Sequence, residues 1–250
     1  MTLSTKIFLG LLFALTALVF VSAYLPMGSF AVSQEAQPML AAIPKHILGL
    51  ANAGIVLAVY GFLGLLGLWF SKKVGLPEIW DEKVANRQRF FRPAVIGAVC
   101  GAMLIIGDIV FSRYNTIGHF IHPPFPTSLV ASLSAAIGEE LLFRLFFISF
   151  WFWILSFFFR KSKTLIFWIV SFVSALAFAA GHFPAFIYLY GYKTLAEIPP
   201  VLIWEIVALN GIVALAAAWQ FKKAGYLAAV GVHFWADIVW HVIWGLLLLI

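Results

Sequence analysis

The sequence predicts an all-α fold, a polytopic bundle of about seven transmembrane helices, from its composition and its long apolar segments. Hydrophobic residues make up 64% of the 250 residues, charged residues make up 10%, and the mean hydropathy is +1.03. Soluble domains carry roughly 25% charged residues, so this composition is typical of a membrane protein. The apolar segments are continuous and lack the alternation of barrel strands, which favours helices with internally paired backbones.

A helix needs about 20 mainly apolar residues to cross a bilayer, and seven segments meet this length. They are Ile7 to Leu25, Ile47 to Phe70, Ala94 to Phe111, Leu129 to Phe159, Leu165 to Tyr190, Val201 to Gln220 and Tyr226 to Ile250. The first segment also fits a secretory signal, since Lys6 precedes it and Val21-Ser22-Ala23 offers a small-residue cleavage site. We expect an uncleaved first span.

The basic residues predict the orientation. With a cytoplasmic N-terminus, twelve Lys and Arg lie on the cytoplasmic side and three, Lys45, Arg113 and Lys193, on the opposite side. The net charge of +6 therefore reflects topology, and we expect membrane lipid and no nucleic acid as a partner. The compact chain and the basic bias predict a multi-pass protein of a prokaryotic plasma membrane.

Charged residues interrupt the fourth segment at Glu139, Glu140 and Arg144. Ionisable groups at membrane depth are costly and indicate function. Glu140 and Arg144 are four residues apart and should pair on one helix face. Glu139 lies about 100° further round the helix, so it should be a separate, unpaired carboxylate suited to a general base.

Two further apolar segments carry polar groups. Phe178-Ala179-Ala180-Gly181-His182 lies in the fifth, and His233-Phe234-Trp235-Ala236-Asp237 lies in the seventh with His241 four residues further on. Small residues beside His182 allow another helix to approach closely. Three helices thus each offer polar groups to one buried site.

These motifs, Glu139-Glu140-x-x-x-Arg144, Phe178-x-x-x-His182 and His233-x-x-x-Asp237, occur in this order on successive apolar segments. The pattern resembles the type II CAAX prenyl endopeptidases and their bacterial relatives, the CAAX protease and bacteriocin-processing family of intramembrane proteases. The resemblance covers about residues 129 to 240. We therefore predict an N-terminal part, residues 1–128, of unassigned role and an intramembrane protease core, residues 129–250.

The resemblance implies a role for each matching residue. Glu139 would activate water as general base, His182 would position that water, and His233 and Asp237 would stabilise the oxyanion. Glu140, Arg144 and Phe178 would have structural, orienting roles. The family commonly has Asn where this chain has Asp237. A carboxyl group donates a hydrogen bond only when protonated, so Asp237 otherwise orients His233 or pairs with His241.

The resulting prediction is an endopeptidase that hydrolyses a membrane-associated peptide or protein by glutamate-activated water, without a cofactor. The alternative mechanism is a zinc protease with Glu139, His182 and His233 as metal ligands. Two other functions stay open. One is a non-catalytic immunity or partner-binding protein on the same scaffold, and the other is a small transporter that uses Glu139, Asp237 and Glu205.

The predicted site residues differ in depth when counted from the basic loops. At 1.5 Å per residue, Glu139 and His182 lie about 30 Å from the loop at 160–163, whereas His233 lies about 15 Å from Lys223. Either the fourth and fifth helices extend further on the basic side, or tilt and a broken helix compensate.

Overall fold

The structure, a computed structural model, describes residues 1–27, 43–159 and 161–249. Within these residues the regular secondary structure is all helical, with seven helices long and apolar enough to cross a membrane. They are α1 (Leu3–Ser22), α2 (Lys45–Val74), α3 (Arg87–Phe111), α4 (Thr127–Phe158), α5 (Lys163–Tyr190), α6 (Pro200–Ala224) and α7 (Tyr226–Leu247). The predicted fold class is confirmed. The predicted end of the seventh segment, Ile250, lies outside the described residues.

Two of these helices contain long π-helical segments that begin directly after predicted site residues. In α4, the segment Leu141–Ile148 follows Glu140, and in α7, the segment Ile238–Trp244 follows Asp237. π-helical turns are rare and are frequent at functional sites, and two shorter ones occur away from the predicted site, at Val56–Tyr60 and Arg87–Phe91. The wider turn changes the direction in which the following side chains point. A spacing of four residues in the sequence does not predict this change.

Glycines in α3 let the seventh helix approach closely. A Cβ at Gly97 would overlap the carbonyl oxygen of Val232, and one at Gly101 would lie 2.7 Å from that of Ala236. Small residues of this kind are the usual means by which membrane helices make backbone contact. The N-terminal part therefore packs directly on the helix that carries His233 and Asp237, while the division at residue 128 stays a prediction.

The helices differ in length, and this accounts for the depths of the predicted site residues. Helix α7 has 22 residues, whereas α4 has 32 and α5 has 28. The chain turns at Gly225, with φ 83°, and the hydroxyl of Tyr226 donates to the carbonyl oxygen of Ile137 at 2.6 Å. Helix α7 begins on the basic side, where Gly225 lies against Pro77 and Glu78 of the connection between α2 and α3, and the longer α4 and α5 extend beyond this point.

Candidate active site

Glu140 is the buried centre of the predicted site. Its side chain is fully buried, and Oε2 lies 3.1 Å from Nε of Arg144, so the predicted ion pair is present. Its second oxygen, Oε1, accepts a hydrogen bond from Nδ1 of His233 at 2.9 Å. Only the first of these contacts was predicted. Glu140 therefore joins α4 to α7 in addition to pairing with Arg144 on its own helix.

Glu139 faces a different environment from its neighbour, as predicted. Its side chain is 33% exposed and lines a cavity, and its Oε2 lies 3.8 Å from Nε2 of His233. That distance is longer than a hydrogen bond. Glu139 lies at the cavity surface, because one residue of helical rotation turns it away from Arg144.

His182 is oriented by its own helix. Its Nδ1 lies 2.8 Å from the carbonyl oxygen of Phe178, one turn earlier. Because a carbonyl oxygen can only accept, Nδ1 carries the proton in this contact. In the neutral ring Nε2 is then an acceptor, and His182 lines the same cavity as Glu139.

Phe178 contacts the side chains of all three motifs. Its ring is buried, and the guanidinium of Arg144 lies 4.8 Å from the ring centroid. The rings of His182 and His233 have centroids 4.9 Å and 5.6 Å away. A cation over an aromatic face is favourable, most of all when it is shielded from water. Phe178 thus sets the spacing between α4, α5 and α7.

Asp237 and His241 take different partners. Oδ2 of Asp237 lies 3.6 Å from Nε2 of His233, near the ring but beyond hydrogen-bond distance. The pairing with His241, considered above as an alternative, does not form, because Nδ1 of His241 hydrogen-bonds Nδ1 of His122 at 3.0 Å. Spacing within one helix does not indicate this contact, since His122 belongs to the connection between α3 and α4.

One cavity of about 220 Å³ brings four of the predicted residues together: Glu139, His182, His233 and Asp237 all line it. Glu140 and Arg144 lie behind its wall. Most of the lining is apolar, contributed by side chains such as Leu104, Phe186, Leu189, Ile206, Leu209 and Trp240. The cavity thus has a polar wall beside a large apolar surface.

Asn210 of α6 also lines this cavity and was not predicted as a site residue. Its Nδ2 donates to the carbonyl oxygen of Ile206 at 2.8 Å, which leaves a second N–H and the amide oxygen. The available signal was an amide near the middle of a mainly apolar span that also carries Glu205. Glu205, named as a transporter residue, does not line the cavity, and its carboxylate accepts from Asn115 at 2.9 Å.

The connection 112–126 lies over one end of the cavity. Phe120 and Ile121 belong to the cavity wall. Buried Asp108 fastens this connection, because it binds the ring of His119 at 2.5 Å and the backbone N–H of Phe120 at 3.0 Å.

His122 of the same connection has a lowered pKa. Burial lowers this pKa to about 4, and the nearby charge of Asp108 raises it by a smaller amount.

The zinc alternative concerns Glu139, His182 and His233. Within the described residues, no three His, Cys, Asp or Glu side chains lie close enough together to hold a metal ion. Nδ1 of His182 donates to Phe178 and Nδ1 of His233 donates to Glu140, which leaves Nε2 of each ring available, as in many metal-ligating histidines. The zinc alternative stays a prediction.

The second half of the chain matches a known protein family. Residues 121–239 match the family model described as type II CAAX prenyl endopeptidase Rce1-like. The match begins within the connection before α4 and ends in α7, so it includes all three motifs. It confirms the resemblance drawn from them. No curated protein and no solved structure matches the chain.

Proposed function

We propose that this membrane protein is an endopeptidase of the Rce1-like, type II CAAX kind and hydrolyses peptide bonds with a glutamate-activated water. The observation that carries the proposal is the cavity in which Glu139, His182, His233 and Asp237 meet from three helices. The substrate is a membrane-associated peptide or protein, since the cavity lies within the bundle and is mainly apolar.

Glu139 begins the reaction as general base. Its carboxylate takes a proton from water, and the oxygen of that water bonds to the carbonyl carbon of the peptide. Nε2 of His182 accepts the second hydrogen of the water and so directs it, because Nδ1 is held by Phe178. Glu139 is suited to this role because it is partly exposed to the cavity and points away from the Arg144 side of its helix.

His233 stabilises the oxyanion of the tetrahedral intermediate. Glu140 holds its Nδ1, so Nε2 of the protonated ring faces the cavity as a donor. Asp237 orients this edge of the ring at 3.6 Å and adds a second donor when protonated. The carbon–nitrogen bond then breaks, and the proton held by Glu139 passes to the leaving amine.

Purified protein in lipid vesicles tests the proposal, with membrane-anchored peptides as substrates and mass spectrometry of the products. Glu139→Gln removes the base without changing shape, and turnover should fall by about a hundredfold to ten-thousandfold. His233→Ala should cost about a hundredfold to a thousandfold. The matched control is Glu82→Gln in an exposed connection, which should cleave as the wild type does. Equal cleavage by Glu139→Gln contradicts the proposal.

The same assay separates the zinc mechanism from the proposed one. Treatment with a zinc chelator such as 1,10-phenanthroline should leave turnover unchanged, since no step uses a metal. Loss of activity on chelation with recovery on adding zinc would overturn the glutamate-only mechanism, though not the protease assignment.

A further inference from the structure

The cavity lies toward one end of the bundle. Helices α1, α3 and α5 end, and α2, α4 and α6 begin, at what we name the cavity face, and the opposite end of the bundle is the basic face. Phe120 and Ile121 come from the connection 112–126 at the cavity face. Leu104 lies near the end of α3 and Tyr190 ends α5, so both lie toward that face.

The remaining lining residues follow the same distribution. Glu139 lies in the first half of α4 and Asn210 in the first half of α6, and both helices start from the cavity face. His233 is the deepest group, because it lies in the first half of α7, which starts on the basic side. Among the described residues, none of those lining the cavity belongs to a connection on the basic face.

The two faces differ strongly in charge. By their positions in the sequence, twelve Lys and Arg belong to the basic face and three belong to the cavity face. The twelve are Lys6 and the basic residues of the segments 72–92, 160–163 and 222–223. Such residues are retained on the cytoplasmic side during insertion, which assigns the basic face to the cytoplasm.

We propose that the cavity opens away from the cytoplasm and takes peptide segments from the outer half of the bilayer. That the occupant is a substrate rests on the proposed function. The direction of opening rests only on the position of the cavity and on the difference in charge between the two faces. The apolar walls select a segment with large apolar side chains beside the cleaved bond, as found in the transmembrane or interfacial parts of exported peptides.

Entry takes place beside the connection 112–126. Asn115 binds Glu205 of α6 at 2.9 Å, and Asp108 of α3 binds His119, so the connection is fastened at two points. The hydroxyl of Tyr190 accepts from the backbone N–H of Ile121 at 3.0 Å, which joins the connection to the end of α5. These contacts hold the entrance in place at the cavity face.

Cysteine labelling in intact cells tests the direction of opening. The background is Cys100→Ala, which removes the single natural cysteine, and the whole chain is used. Tyr114→Cys reports the cavity face, Lys83→Cys reports the basic face, and Ala185→Cys reports the cavity wall. The probe is a small, membrane-impermeant thiosulfonate, applied before and after permeabilisation.

We expect Tyr114→Cys and Ala185→Cys to react in intact cells, and Lys83→Cys to react only after permeabilisation. Reaction of Lys83→Cys alone in intact cells would invert the orientation and overturn the proposal. Failure of Ala185→Cys to react in intact cells while Tyr114→Cys reacts would also overturn it. Labelling needs no proteolysis, so loss of the protease assignment in the vesicle assay leaves this result independent.

Discussion

Glu139 and Glu140 are adjacent in the chain, yet their carboxylates have different surroundings. Glu140 is enclosed between Arg144 and His233, whereas Glu139 faces the cavity. A helical rotation of about 100° per residue is enough to separate them. One carboxylate is thereby committed to holding two helices together, and the other is available to a water molecule.

This separation predicts different effects of the same substitution at the two positions. Glu140→Gln leaves the guanidinium of Arg144 buried without its counter-charge, and should lower the free energy of unfolding by about 3–5 kcal/mol. Glu139→Gln should change it by less than about 0.5 kcal/mol, since its side chain is partly exposed. Thermal unfolding in detergent measures both, and equal destabilisation would refute the division.

Short-range contacts within the site were predictable from the sequence, and long-range ones were not. The Glu140–Arg144 pair follows from helical spacing alone. The contact of Glu140 with His233 joins α4 to α7, and that of His241 with His122 joins α7 to a connection. Nothing in the spacing of one helix specifies which group on a distant element it will meet.

At the scale of elements, all seven helices were predictable, because each apolar segment is long enough to cross the bilayer. Their internal geometry was not. Leu141–Ile148 and Ile238–Trp244 are as apolar as their flanks, so their composition does not distinguish a π-helical from an α-helical path. Nothing in the composition of either segment marks the residue at which the wider turn begins.

The contact between α3 and α7 gives a prediction at this scale. Gly97→Ala places a methyl group against the carbonyl oxygen of Val232, within the contact distance of the two atoms. Helix α7 must shift, with a loss of about 1–3 kcal/mol in the free energy of unfolding and displacement of His233. Turnover should fall together with the melting temperature.

Gly54→Ala is the matched control for this substitution. Gly54 lies in α2, and within the described part of the chain no heavy atom beyond its chain neighbours and its own helix backbone comes within 4 Å of the position that its methyl group would take. Alanine should therefore be neutral or slightly stabilising there. An unchanged melting temperature and unchanged turnover for Gly97→Ala would show that the close approach does not position α7.

For the whole molecule, the fold class followed from composition, but the depth of the site did not. Counting residues from the basic loops placed Glu139 and His233 at different heights. The structure removes the conflict because the side chains of Tyr226 and His233 both reach α4, at Ile137 and Glu140, which fixes α7 against the turn that carries Glu139. The relative height of two helices depends on contacts between them, and hydropathy contains no information on it.

The stability of the whole protein should depend on pH through His122. Its folded pKa of about 4 lies below the ordinary value of 6.5, so the unfolded chain binds the proton more tightly. Stability is therefore full above about pH 6.5 and is lost as the pH falls toward about 4. The difference amounts to about 3 kcal/mol at most.

Melting temperatures between pH 7 and pH 4 measure this effect. His122→Gln keeps a polar side chain toward His241 but cannot titrate, so its melting temperature should fall less over this range than that of the wild type. His46→Gln, at an exposed position, should follow the wild type. Parallel curves for wild type and His122→Gln would refute the assignment to His122.

The ring of Phe178 limits how the sequence of this protein can change during evolution. Because it touches Arg144, His182 and His233 at once, a change in its size moves three functional groups together. Substitutions among these four positions should be non-additive, and mutational libraries that vary them one at a time would miss the active combinations. New specificities are better sought in the apolar wall, at positions such as Leu189 and Ile206, which vary independently of that ring.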